Sequence, residues 1–119
     1  MPARTPEEVD ALFEKYLNEG KLDALVELYE PDATLIGSPG QPASGHEAIR
    51  SVLAAFIAAK ANLKLNVTQT IVAGDIAVTY NDWGGTAAGA ELSGKAMEIC
   101  RRQPDGTWRF VVDDPYARG

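Results

Sequence analysis

The chain is poor in the residues that most often carry redox and metal chemistry: one cysteine and one histidine stand in 119 residues. A single Cys100 excludes an intramolecular disulfide and offers no thiolate cluster to zinc. The lone His46 lies in a different segment, so Cys100 has no base to activate it. It reads as a small buried hydrophobe rather than a nucleophile. Basic residues are also scarce and scattered, 11 Lys and Arg against 17 Asp and Glu for a net charge of −6, with Arg101-Arg102 the only internal adjacent pair. A nucleic-acid partner or an anionic membrane surface needs clustered cations, and both are excluded as expected partners. No apolar run is long enough to span a bilayer, and the opening MPARTPEEVD is polar and quickly acidic. The expected location is therefore cytoplasmic.

The length and the 45% apolar fraction suit one domain with a real core, residues 1–119. Thr5-Pro6-Glu7-Glu8 opens a first helix: Thr5 caps, Pro6 suits the first turn, and Glu8 completes a capping box. Val9, Leu12, Phe13, Tyr16 and Leu17 follow at helical spacing, and Asn18-Glu19-Gly20 ends the helix. A shorter helix is expected from about Leu22 to Tyr29, stopped by Pro31. Ala33–Ile36 reads as a strand, and the Gly- and Pro-rich GSPGQPASG that follows as a loop. Ser44-Gly45-His46-Glu47 reads as a second capping box, opening a third helix with Ile49, Val52, Leu53, Phe56 and Ile57 on one face.

From Leu63 the period changes to two. Leu63, Leu65, Val67 and Ile71 alternate with polar residues, and further strands are expected from Ile76 to about Gly84 and across Leu92–Tyr116. The turn residues Pro104-Asp105-Gly106-Thr107 fold the last stretch into a hairpin. Helices followed by antiparallel strands give an α+β fold with three N-terminal helices against one face of a curved sheet.

Three phrases carry a resemblance: Gly20–Leu25 with Leu28–Thr34, Gly45–Arg50, and Asp105–Phe110. With the element order, they resemble the nuclear transport factor two-like superfamily, in its ketosteroid isomerase-like and polyketide cyclase-like branch. The resemblance implies a cone-shaped roll with a pocket open at one end, and a homodimer formed through the outer sheet face. The isomerases of that superfamily use a base just after the first strand, a tyrosine on the first helix and a protonated acid on the penultimate strand. Here Gly37 falls at the base position and Phe13 at the tyrosine position, with Tyr16 one turn on; only the acid, Glu98, remains. Steroid isomerisation by that mechanism is therefore not expected.

In the isomerase-like register Glu98, Ala96 and Cys100 face the pocket. Centring the hairpin on its turn sets Glu98 opposite Val111 and Ala96 opposite Asp113, while Tyr80, Asp82 and Val78 share the face from the preceding strand. A slip of one residue would exchange these for Asp114, Asn81 and Trp83. The expected catalytic set is thus Asp113, Glu98, Asp82 and Tyr80, with Asp113 or Asp82 as base and Glu98 as protonated donor. Phe13, Tyr16, Leu17, Leu53, Phe56, Ala96 and Val111 are expected to wall the substrate site. No metal and no cofactor is expected. His46, in the first turn of a helix, reads as a surface capping residue, and Trp83 and Trp108 as core or dimer-face aromatics. The expected activity is a cofactor-free isomerase, cyclase or hydratase acting on a small apolar carbonyl compound; the alternative is a non-catalytic ligand-binding or structural dimer.

Overall fold

A computed structural model describes residues 3–117. Helices α1 (Pro6–Glu19) and α2 (Leu22–Val26) precede strands β1 (Tyr29–Ser38) and β2 (Gln41–Ser44), and α3 (His46–Ala58) leads into β3 (Asn62–Ala73), β4 (Ile76–Ala87), β5 (Ala90–Arg102) and β6 (Trp108–Asp114). The six strands form one sheet in the order β2-β1-β6-β5-β4-β3. Only the β1–β6 pair is parallel. This is the expected α+β cone: a curved, mainly antiparallel sheet with the helices against its concave face.

Local chemistry accounts for the helix boundaries. The Thr5 hydroxyl accepts from the Glu8 amide at 3.2 Å, and Gly20 closes α1 at a left-handed φ of 72°. The far end of α1 is tied to the sheet edge by Asn18, whose side chain exchanges two 2.8 Å hydrogen bonds with the backbone of Leu63. Glu14 accepts from the Leu65 amide at 2.7 Å. Backbone groups at the start of this edge strand, at Leu63 and Leu65, are thus satisfied by helix side chains, which covers that part of the pairing edge.

Four sequence expectations are corrected here. Helix α2 ends at Val26, not near Tyr29; Tyr29 enters β1 opposite Phe110, and the Leu28 carbonyl accepts from the Phe110 amide at 2.7 Å. Sheet pairing outcompetes the last helical turn. The expected loop after Ile36 contains a hairpin, β1 turning into β2 with Gly40 at a left-handed φ of 74°. Helix α3 is capped by Gly45 without a side-chain bond, because the Ser44 hydroxyl is engaged 2.9 Å from that of Thr34. The fourth correction concerns β4. Its buried positions between Ile76 and Asp82 are Ala77, Thr79 and Asn81, so Val78, Tyr80 and Asp82 face outward.

A two-residue turn sets that register. Ala88 and Gly89, both at positive φ, join β4 to β5 with Ala87 opposite Ala90. Counting back from the turn places Thr79 opposite Glu98 and Asn81 opposite Ala96. In β6, a bulge breaks the alternation. Cys100 pairs with Phe110 but Ile99 with Val112, leaving Val111 as the extra residue. Beyond the bulge, Asp113 instead of Val112 takes the inner face, opposite Glu98.

Candidate active site

The inner face of the sheet and helix α1 enclose a cavity walled by Phe13, Leu17, Leu35, Leu53, Phe56, Leu63, Leu65, Ala96 and Phe110. Into this apolar setting project three carboxyl groups: Asp10 from α1, Glu98 from β5 and Asp113 from β6. All three are buried, with exposures of 1%, 2% and 4%. The cavity volume is about 50 Å³. One water needs roughly 10–15 Å³ on that measure, so the space suits a small molecule.

Each acid is held differently. Glu98 accepts from the Thr79 hydroxyl at 2.7 Å on Oε1 and from Asn81 Nδ2 at 2.8 Å on Oε2. Asp113 accepts from the Tyr29 hydroxyl at 2.6 Å on Oδ2. Neither oxygen of Asp10 has a fixed partner, nor does Asn81 Oδ1. A proton on Glu98 supplies Asp10 with a donor, which makes the two carboxyls a proton-sharing pair.

Burial raises the proton affinity of all three. It pushes Asp10 up to about 6, with repulsion from Asp113 adding to the effect and hydrogen bonding to Glu98 opposing it. Burial, then the charge of Asp10, pushes Glu98 up to about 10. Burial and the charge of Glu98 hold Asp113 well above the usual carboxylate range, against the hydrogen bond from Tyr29. Like charges in an apolar cavity cannot all ionise, so protons are retained at neutral pH. Burial likewise raises Tyr29 and Cys100, which keeps the phenol and the thiol neutral.

Of the expected catalytic residues, Glu98 and Asp113 meet in this cavity. Tyr80 and Asp82 do not. Tyr80 is 36% exposed on the outer face, and the Asp82 side chain, 52% exposed, pairs with Lys95 Nζ at 3.1 Å. The parity fixed by the Ala88-Gly89 turn replaces them on the inner face with Thr79 and Asn81. Among the expected wall residues, Phe13, Leu17, Leu53, Phe56 and Ala96 line the cavity. Tyr16 instead borders a separate depression beside Leu28 and Trp108, and Val111 is the bulge residue outside the lining.

Asp10 and Tyr29, which are not among the expected site residues, complete the site together with Asn81, the residue expected inward only on a one-residue slip. Asp10 was legible: positions 10, 13 and 17 share one helical face, so an acid lay beside Phe13 and Leu17. Asn81 follows from the β4 parity. Tyr29, assigned to a helix stripe, gave no such signal. At the rim, Trp83 Nε1 donates to the Pro115 carbonyl at 2.7 Å, and its ring meets Tyr116 edge-on at 6.3 Å. The Tyr116 hydroxyl reaches the Gly37 carbonyl at 3.3 Å. Gly37 thus contributes only backbone there. His46 is half-buried, its Nε2 2.7 Å from the Tyr29 carbonyl. Among the described residues, no three His, Cys, Asp or Glu side chains are disposed to hold a metal ion.

A family model for the SnoaL-like domain matches residues 9–114, nearly the whole chain and every element that builds the cavity. The chain belongs to the SnoaL-like family. No curated protein matches it. Its fold recurs in a ketosteroid isomerase-like protein from Erwinia carotovora atroseptica, 16% identical with a TM-score of 0.75, covering 91% of this chain and 89% of that one. An NTF-2 like protein of unknown function from Shewanella oneidensis MR-1 is 19% identical, with a TM-score of 0.73 and coverage of 95% and 100%. A conserved protein from Planctomyces limnophilus DSM 3776 is 21% identical, with a TM-score of 0.79 and coverage of 91% and 89%. At such identities the likeness concerns the fold, and what this SnoaL-like chain does must be argued from its own cavity.

Proposed function

We propose that this SnoaL-like protein is an acid–base enzyme acting on a small, mostly apolar carbonyl compound, of the isomerase, cyclase or hydratase kind. One observation carries the reading: Asp10, Glu98 and Asp113 converge, buried, on an apolar cavity. Protons held at different strengths side by side are what proton transfer next to a carbonyl requires. Near neutral pH Asp10 ionises ahead of Glu98 and serves as base. Glu98 keeps its proton and donates to the carbonyl oxygen. Asp113, oriented by Tyr29, is a second donor.

The test is exchange of α-hydrogens for deuterium in small cyclic ketones dissolved in D2O, followed by proton NMR. The native protein should accelerate exchange, and Asp10→Asn and Glu98→Gln should each lower the rate at least 100-fold, the usual scale of acid–base assistance. Variants that exchange as fast as the native chain would remove the basis of the reading.

A homodimer through the outer sheet face is part of the proposal. Ile71, Val78, Ile99 and Val112 are successive cross-strand partners over four strands, forming an apolar row, with Ile71 49% exposed. Light scattering after size exclusion should give twice the 12.7 kDa chain mass, and Ile71→Lys should halve it.

A further inference from the structure

The hydrogen-bond inventory of the cavity is unbalanced, and the imbalance bears on what can bind. Glu98 occupies the donors of Thr79 and Asn81, and Asp113 occupies that of Tyr29. The carboxyl proton of Glu98 is shared with Asp10. On the other side stands an acceptor with no donor: Asn81 Oδ1, in a side chain buried to 1% exposure and lining the cavity, beside an Asp10 whose two oxygens draw on no donor other than that shared proton. A buried acceptor without a donor is costly, and a ligand that displaces water from it without replacing the hydrogen bond loses affinity.

We infer that the cavity selects ligands bearing a hydroxyl group on a compact apolar body, with Asn81 as the residue that reads the hydroxyl. The inference concerns binding and deepens the proposed function by naming the substrate class as hydroxylated, a hydroxy-carbonyl compound if turnover occurs. A purely carbonyl ligand brings only another acceptor to Asn81 Oδ1. A hydroxyl donates to that oxygen while the ring or chain attached to it rests against Phe13, Leu53, Phe56 and Phe110. An ammonium group also donates, but it would carry a full charge into walls that are almost wholly apolar, where the one ionised carboxylate, Asp10, does not replace its hydration.

The experiment compares cyclohexanol, cyclohexanone and cyclohexylamine, matched in size, by NMR titration of the isotope-labelled full chain at neutral pH. Cyclohexanol should bind about tenfold more tightly than cyclohexanone, the scale of one buried hydrogen bond. In Asn81→Leu, of nearly equal volume, that preference should shrink to about twofold or less. Equal binding of alcohol and ketone by the native chain, or tighter binding of ketone or amine, would overturn the assignment. So would an Asn81→Leu variant that keeps the tenfold preference. If Asn81→Leu does not fold, as its own spectrum would reveal, the native comparison of the three compounds decides alone. Because these are binding measurements, absence of hydrogen exchange in ketones would count against the catalytic reading while leaving the alcohol preference to stand or fall separately.

Discussion

The Tyr29 hydroxyl donates to Asp113 Oδ2 at 2.6 Å, and both side chains are buried. Tyr29 opens β1 and Asp113 lies near the end of β6, so the bond spans the one parallel pair of the sheet. It satisfies a carboxyl group that has no access to solvent, and it opposes the rise in the proton affinity of Asp113 caused by burial. Tyr29→Phe keeps the ring against Phe110, whose centroid lies 5.0 Å away, and removes only the donor. The expected loss of stability is roughly 1–3 kcal/mol, from leaving a buried acceptor unsatisfied. Urea unfolding measures it, and an unchanged midpoint would mean that the bond contributes nothing.

Stability should fall as pH rises, because the folded state holds protons that the unfolded chain releases. Glu98 is ordinarily at 4.5 and is raised to about 10 in the fold. Its contribution is fully present below pH 4.5 and is lost progressively as pH climbs toward 10. Asp10, raised from 3.8 to about 6, adds a steeper decline at the acid end of that window. Each proton retained by the fold steepens the loss on the order of 1 kcal/mol per pH unit. Glu98→Gln removes one titrating group while keeping its shape, so thermal unfolding of this variant should depend less on pH between 6 and 10. A native protein equally stable at pH 6 and pH 9 would contradict the retained proton.

The same pair sets an expectation for activity. With Asp10 ionising near 6 and Glu98 near 10, the exchange rate should rise through the lower value and fall through the higher, as apparent constants of the pair. Asp10→Asn should abolish the rising limb and most of the rate. A profile flat from pH 5 to 10 would show that neither group limits the reaction.

Much of this is legible in the sequence. The capping chemistry at Thr5 and Gly20, the change of period at Leu63 and the turn at Pro104–Thr107 read directly. The inner face of β4 did not, for a physical reason. Its register depends on a tight turn at Ala88-Gly89, and an alanine at positive φ is a costly choice where asparagine or glycine is usual. Hidden in the run GGTAAGA, that turn carries no recognisable signature. Without it, the isomerase-like register turns Val78, Tyr80 and Asp82 inward in place of Thr79 and Asn81. The bulge at Val111 is equally silent, since three successive apolar residues from Phe110 to Val112 fit either parity. Simple alternation from Val111 also points Asp113 inward, but opposite Ala96 instead of Glu98. Asp113 faces inward because the bulge shifts the strand by one residue after Phe110.

Gly37, where the resembling isomerases carry a base, can be tested by giving it one. A β-carbon built there lies 3.0 Å and 3.3 Å from the two γ-methyls of Val52 on α3. The neighbour must therefore give way, and Gly37→Asp should destabilise by roughly 1–3 kcal/mol through overpacking. Val52→Ala removes both methyls. In that background the same Gly37→Asp change should cost measurably less, and a double-mutant cycle by urea unfolding isolates the coupling. A coupling within about 0.5 kcal/mol of zero would mean that Val52 is not what keeps this position a glycine. If the coupling is found, the close approach of α3 to β1 accounts for the missing base. The proposed acid–base set, Asp10, Glu98 and Asp113, needs no group at position 37, which lies beside Val52 in a separate depression.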